Sequence, residues 1–93
     1  MKITGIGGFH MQFRNGWTAS IQFGAGNYCQ NHHADLDFKR KEGWESSDAE
    51  VARWPSDGEF EPINGSDTVK GWLSADDVLA FLNETAAKAK DTR

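Results

Sequence analysis

Two neighbouring stretches near the start of the chain alternate apolar and polar residues, which is typical of half-buried β-strands. They cover residues 9–13 and 17–23, and their apolar positions are Phe9, Met11, Phe13, Trp17, Ala19, Ile21 and Phe23. Between them lies the pair Asn15-Gly16, a strong hairpin signal because both residues tolerate the positive φ of a type I′ turn. The pattern therefore predicts a β-hairpin with one buried face.

A second group of strands is predicted after residue 47. Residues 48–54 read as a strand, and the turn residues of 55–58 lead into a short strand over residues 59–63. Pro62 places that strand at a sheet edge, because proline has no N–H to donate to a ladder. A last strand is predicted over residues 68–73.

The chain then changes to helical periodicity. Ser74 is the expected N-cap of a helix over residues 75–89, with Asp76 and Asp77 favourably placed near its N-terminus. One stripe of this helix is apolar and comprises Val78, Leu79, Phe81, Leu82, Thr85 and Ala86. The predicted fold is α+β: an antiparallel sheet of about five strands, made of two hairpins and one strand, packed by one C-terminal helix.

Residues 24–47 lack periodicity and are predicted to form a long connection, a kind of segment that is often functional. The connection contains potential zinc ligands close together in the sequence: Cys29, His32, His33 and Asp35, followed by Asp37. Their spacing is not that of a known zinc site, and only His10 lies elsewhere in the chain to complete one. A polar loop with a partly buried cysteine is the favoured interpretation, and a zinc or enzymatic centre is the alternative.

The same connection holds the only basic cluster of the chain, next to aromatic residues. We predict partner binding by the residues Tyr28, Phe38, Lys39, Arg40, Lys41 and Trp44, because exposed aromatic and basic side chains are common in interfaces. An alternative is a small-ligand or nucleotide binder, in which Tyr28 or Trp44 stacks on the ligand and the basic run holds a phosphate.

The remaining tryptophans are assigned by their surroundings in the sequence. Trp17 and Trp72 lie in strand patterns and are expected in the core, whereas Trp54 at a strand end is expected to be half exposed. Glu59 and Glu61 flank Phe60 and are interpreted as solvent-facing charge.

Composition sets limits on the function. A chain of 93 residues with 12% aromatic residues is expected to form a single domain, residues 1–93, with one aromatic-rich core. The net charge of −4 disfavours nucleic-acid binding, and no apolar stretch is long enough for a membrane span. One cysteine allows no internal disulfide, so we expect a cytoplasmic protein. The first residues show no signal-peptide pattern, so we expect the mature chain to start at or near Met1.

Three segments together resemble small uncharacterised proteins of tailed bacteriophages and prophages: NGWTASIQFGAGNYC, SDAEVARW and VKGWLSADDVLAFL. This resemblance implies an accessory protein in the cytoplasm of a host bacterium. It implies non-catalytic binding to a host protein, for example a defence component, with no cofactor. It implies no catalytic residue and leaves the oligomeric state open, a homodimer included.

Overall fold

The computed structural model of the protein describes residues 3–5, 7–24, 27–30, 44–56 and 58–89. In chain order the elements are β1 (Ile3–Gly5), β2 (Gly8–Gln12), β3 (Thr18–Gln22), β4 (Trp44–Ser46), β5 (Asp48–Trp54), β6 (Lys70–Ser74) and α1 (Ala75–Ala86). An antiparallel sheet has the strand order β2-β3-β5-β6, and β1 pairs separately with β4. The predicted α+β class, with one C-terminal helix on an antiparallel sheet, is confirmed.

The first hairpin is confirmed, but its predicted turn type is wrong. The N–H of Phe13 donates to the carbonyl of Trp17 at 2.8 Å, and the N–H of Gly16 donates back to Phe13 at 3.0 Å. Gly16 has φ 91°, whereas Asn15 is not among the described residues with positive φ. This arrangement matches a type I turn followed by a glycine bulge, which needs positive φ only at Gly16.

The side chain of Asn15 links this turn to the far end of the helix. Its Oδ1 accepts from the N–H of Trp17 at 3.0 Å. The two hydrogens of its Nδ2 are shared among the carbonyl oxygens of Thr85, Ala86 and Lys88, at N···O distances of 2.9, 3.3 and 3.1 Å, respectively. The last carbonyls of a helix lack partners within the helix, and Asn15 supplies a donor to them. The carbonyl of Thr85 also accepts from the N–H of Lys88 at 3.3 Å.

Helix α1 begins as the sequence predicts. Ser74 is the N-cap, and its hydroxyl accepts from the N–H of Asp77 at 3.2 Å. The helix ends at Ala86, three residues before the predicted end. Of the predicted apolar stripe, Val78, Phe81 and Thr85 are buried and Leu82 is half-buried.

Two residues of the predicted stripe are not buried. Leu79 is 57% exposed, and Ala86 is also exposed. The helix packs against β3, β5 and β6 through the narrower row of Val78, Phe81 and Thr85, which leaves Leu79 to one side. The buried side of α1 is therefore narrower than its apolar stripe.

The core lies between the helix and one face of the sheet. Register pairs Ile21 with Val51 and Ala49 with Leu73, so these side chains share the face that meets the helix. The buried apolar residues of this core are Ala19, Ile21, Phe23, Cys29, Ala49, Val51, Leu73, Val78 and Phe81. Alternation along β3 and β5 thus places Ala19, Ile21, Ala49 and Val51 on the helix side, although Ser20 and Ala52 on the opposite face are buried as well.

Two sequence predictions about strands are corrected. Residues 59–63 do not form a strand: Glu61 makes one backbone bond to Arg53, and the neighbours of β5 are β3 and β6. Pro62 removes a donor in this segment, which limits ladder formation. In the predicted connection over residues 24–47, Trp44–Ser46 is strand β4.

The predicted burial of the first strand is also wrong. Phe9 and Met11 face the helix side of the sheet opposite Ile21 and Ala19, yet they are 41% and 42% exposed. Strand β2 is one of the two edge strands of the sheet, and helix α1 packs against the other three strands. The alternation in the sequence predicted correctly which face of the sheet these two side chains occupy. It did not predict that the helix leaves them uncovered.

Candidate functional site

A groove lies between the edge strand β6 and helix α1, with a volume of about 370 Å³. This volume falls within the range of small-ligand and side-chain pockets. Its lining is mixed, with the buried apolar residues Leu73 and Phe81 beside several charged residues. The lining residues are Arg53, Ile63, Lys70, Gly71, Trp72, Leu73, Asp77, Ala80, Phe81 and Glu84.

Trp72 forms one wall of this groove and is 57% exposed, although the sequence predicted it in the core. The correction has a local cause. The pairing of β5 with β6 shifts register between Ala49 and Val51, so Gly71 and Trp72 together lie opposite Glu50. This bulge turns the Trp72 side chain away from the strict alternation that the sequence pattern assumes.

The backbone at Trp72 is unusual for a bulky residue. Trp72 has φ 64°, and it is the only non-glycine residue with positive φ in the described ranges. For an L-residue this left-handed conformation costs about 1–2 kcal/mol. The surrounding structure holds it in place, since the N–H of Trp72 donates to the carbonyl of Tyr28 at 2.8 Å.

Gly71 makes that contact possible. A Cβ atom at Gly71 would overlap the Cβ of Tyr28 and approach its carbonyl oxygen to 2.8 Å. The strand bulge and the Tyr28 segment therefore approach each other as closely as their backbones allow. Tyr28 is 48% exposed, so the bulge brings two exposed aromatic residues from distant parts of the sequence near each other.

Arg53 lies under the groove in a network of ion pairs and hydrogen bonds, with only 8% of its side chain exposed. Its Nε donates to Glu61 at 3.1 Å, and its Nη2 donates to Glu84 at 2.9 Å. Its Nη1 donates to the Thr85 hydroxyl at 3.3 Å, and the guanidinium lies 5.0 Å from the centre of the Phe81 ring. Two carboxylates thus neutralise the one buried cation of the groove.

This network corrects the interpretation of Glu61 as a solvent-facing charge. Glu61 bonds Arg53 through Oε1 and pairs with the ammonium of Lys88 through Oε2 at 3.3 Å. The same ammonium lies 4.6 Å from the centre of the Trp17 ring. Trp17, predicted in the core, is half-buried beneath this ion pair.

A second aromatic cluster lies on the opposite face of the sheet. The rings of Trp54 and Phe60 stack with centroids 4.6 Å apart, and His10 meets the edge of Trp54 at 5.2 Å. Trp54 is half-buried, as the sequence predicted, because Phe60 covers one side of its ring. His10, the predicted remote metal ligand, therefore lies against an aromatic ring.

The residues predicted from the basic and aromatic connection are described only in part. Tyr28 is exposed, and the backbone of Trp44 lies in β4. The other predicted partner-binding residues lie outside the described residues: Phe38, Lys39, Arg40 and Lys41. Sequence reasoning missed Trp72 because a bulge leaves no clear signal, apart from the glycine before it.

The weaker metal hypothesis is also covered only in part. Cys29 is fully buried, and its Sγ lies 3.6 Å from the carbonyl oxygen of Gly24. His32, His33 and Asp35 lie outside the described residues. Across the described ranges, no three His, Cys, Asp or Glu side chains lie close enough together to hold a metal ion.

Comparisons with protein-family models, with curated proteins and with solved structures found no match for this chain. No relative's activity therefore carries over to this chain.

Within the part of the chain that the structure describes, no helix has the length and apolar character needed to cross a bilayer.

Proposed function

We propose that this protein is a small, non-catalytic binding domain that holds a partner protein in the groove between β6 and α1. The observation that carries the proposal is Trp72, a large aromatic side chain that is 57% exposed on a backbone with φ 64°. Strained backbone conformations persist where the surrounding structure enforces them, and they cluster at binding sites. Tryptophan is also among the residues most enriched in the energetic centres of protein interfaces.

The composition of the groove supports a protein partner over a small anionic ligand. A phosphate would need an unpaired buried cation in the groove, but Arg53 is already bonded to Glu61 and Glu84. Lys70 at the rim is exposed and supplies only a screened point charge. The groove also combines apolar residues with charged ones, a mixture that protein interfaces have.

The setting that we propose is the cytoplasm of a bacterium infected by, or carrying, a tailed phage, with a host protein as the partner. This part rests on the resemblance of three sequence segments to small phage proteins. The predicted contribution of Phe38, Lys39, Arg40, Lys41 and Trp44 to binding remains part of the proposal. Tyr28 connects the two surfaces, since its carbonyl accepts the bond from Trp72 and its ring is exposed.

The test is affinity capture from a bacterial lysate followed by direct measurement with the purified captured protein. The wild-type protein is the bait, and the affinity of the captured protein for the wild type is then compared with its affinity for Trp72→Gly. This variant removes the ring and suits the positive φ. Leu79→Ser is the matched control, because Leu79 is equally exposed on α1 but does not line the groove. We expect Trp72→Gly to weaken the Kd at least about tenfold, the effect of losing a central interface tryptophan, and Leu79→Ser to leave it unchanged. Unchanged affinity of Trp72→Gly would refute the groove as the binding site.

A separate bait with Lys39, Arg40 and Lys41 replaced by alanine tests the basic run. If this bait loses the partner while Trp72→Gly retains it, binding belongs to the basic run and the groove proposal is wrong. If both lose it, the partner spans both surfaces.

A further inference from the structure

Strand β2 has an outer edge that is not paired with any strand in the described part of the chain. Its pairing with β3 is regular over five residues, from Gly8 opposite Gln22 to Gln12 opposite Thr18. The bonds that flank this ladder join Gly7 to Phe23 and Phe13 to Trp17. Since bonded positions alternate along an antiparallel strand, the odd-numbered residues of β2 bond to β3. The N–H and C=O groups of Gly8, His10 and Gln12 therefore point outward.

This edge lacks the features that normally prevent strand-to-strand association. Natural edge strands are protected by charged side chains, prolines or bulges. The sequence of β2 is GFHMQ, with no Asp, Glu, Lys, Arg or Pro, and its ladder with β3 has no register shift. Next to the open edge, Phe9 and Met11 are 41% and 42% exposed on the helix side of the sheet.

We propose that the outer edge of β2 pairs with β2 of a second copy of this chain, antiparallel and centred on His10. In this register Gly8 lies opposite Gln12 of the other copy, and the two His10 residues face each other. The three outward-facing residues of each strand then form about six intermolecular hydrogen bonds. The β2-β3-β5-β6 sheet becomes one continuous sheet of eight strands with both helices on the same face.

The side chains select a second copy as the occupant. In the register centred on His10, Phe9 of each strand lies opposite Met11 of the other, in the closely spaced non-bonded pair of an antiparallel ladder. Contacts of a thioether with an aromatic ring are favourable, and here the symmetry forms two of them. The exposed apolar row of β2 is thus complementary to itself.

Charge permits this association although the whole chain carries −4. No acidic residue precedes Asp35 in the sequence, so β2 and its hairpin contribute no negative charge to the contact. The acidic residues of α1 belong to a helix that packs against β3, β5 and β6. Neither β2 and its hairpin nor α1 therefore places carboxylates opposite each other at this edge.

The area predicts a weak and reversible dimer. Large side chains bury about 200 Å² each, so the exposed parts of Phe9 and Met11 in two copies amount to roughly 330 Å². A stable interface buries about 1,200–2,000 Å² in total. We therefore expect a dissociation constant on the order of 0.1 mM.

Analytical ultracentrifugation from about 5 µM to about 1 mM tests the proposal, a range chosen to bracket that constant. We expect the wild-type protein to change from monomer to dimer with concentration. The variant His10→Pro removes an outward N–H and no bond to β3, so it should remain monomeric. Met11→Lys is the second variant, which keeps every backbone group but places a charge in the contact. Leu79→Lys is the matched control, since Leu79 is exposed but lies on α1, and it should dimerise as the wild type does.

Amide hydrogen exchange gives an independent readout. The N–H groups of Gly8, His10 and Gln12 should become protected at high concentration and exchange freely at low concentration. A wild-type monomer at 1 mM would overturn the proposal. Equal protection of the three amides at all concentrations would overturn it too, because a segment of the same chain would then cover the edge. A dimer that is lost in Leu79→Lys and kept in Met11→Lys would place the contact on the helix instead.

Discussion

Replacing Trp72 by glycine and, separately, by alanine measures the strain stored in the groove. Both variants lose the same ring, of which a little under half is covered. Covering about 100 Å² of apolar surface contributes roughly 2.5 kcal/mol at 25 cal/mol per Å². Alanine keeps the penalty of positive φ, whereas glycine adopts φ 64° readily. We therefore expect Trp72→Gly to be more stable than Trp72→Ala by about 1 kcal/mol.

The sign of this difference is the informative quantity. In an ordinary strand, a protein with glycine at a given position is less stable than one with alanine there by about 0.5–1 kcal/mol. At Trp72 the order should be reversed. Urea unfolding followed by circular dichroism measures the free energy of unfolding of both variants. In thermal unfolding, a difference of 1 kcal/mol corresponds to about 4–8 °C in Tm for a domain of this size.

Lys70 provides the matched control in the same strand. Lys70 is exposed, lines the same groove and does not have positive φ. Lys70→Gly should be less stable than Lys70→Ala, the ordinary order. If Trp72→Ala were as stable as Trp72→Gly or more so, the backbone at Trp72 would not be strained, and the main support for the proposed function would be lost.

Three further predictions concern the packing of the helix. Asn15→Ala should destabilise the protein by about 1–2 kcal/mol, because three helix-end carbonyls lose a donor, and an unchanged urea midpoint would contradict this. Arg53→Met should cost about 1–3 kcal/mol by thermal unfolding, since it removes the guanidinium bonds to Glu61 and Glu84. Arg53→Lys should recover only part of this loss because lysine cannot bond as a planar fork. Phe81→Ala should cost about 3–5 kcal/mol and Leu79→Ala less than about 0.5 kcal/mol, and equal effects would show that the helix packs on a different side.

The elements that the sequence predicts well are those in which local signals agree with burial. The range of β5 is predicted to the residue, because alternation, a flanking proline and a turn all mark its bounds. Ser74 is predicted as the N-cap because its hydroxyl bonds within one turn of the same helix. In both cases the structure depends on residues close together in the chain.

The predictions fail where distant parts of the chain decide the outcome. Phe9 and Met11 alternate like buried residues, but whether a helix covers them depends on the order of the strands. Trp72 has the surroundings of a core residue, and only the bulge opposite Glu50 turns it outward. Glu61 reads as surface charge because the sequence does not show that Arg53 is its partner. Arg53 lies on a strand whose buried side is otherwise apolar.

The bonds from Asn15 to the end of α1 also have a consequence for the order of folding. They join residues 70, 71 and 73 positions apart in the sequence. Closing a loop of this length has an entropic penalty that must be met before the bonds form, so contacts of this kind generally form late. The hairpin at residues 8–22 needs only local contacts and can form first. Asn15→Asp keeps the acceptor of the local bond from Trp17 and removes the donor to the helix end. It should therefore leave the folding rate nearly unchanged and accelerate unfolding, which is the kinetic behaviour of a contact absent from the transition state.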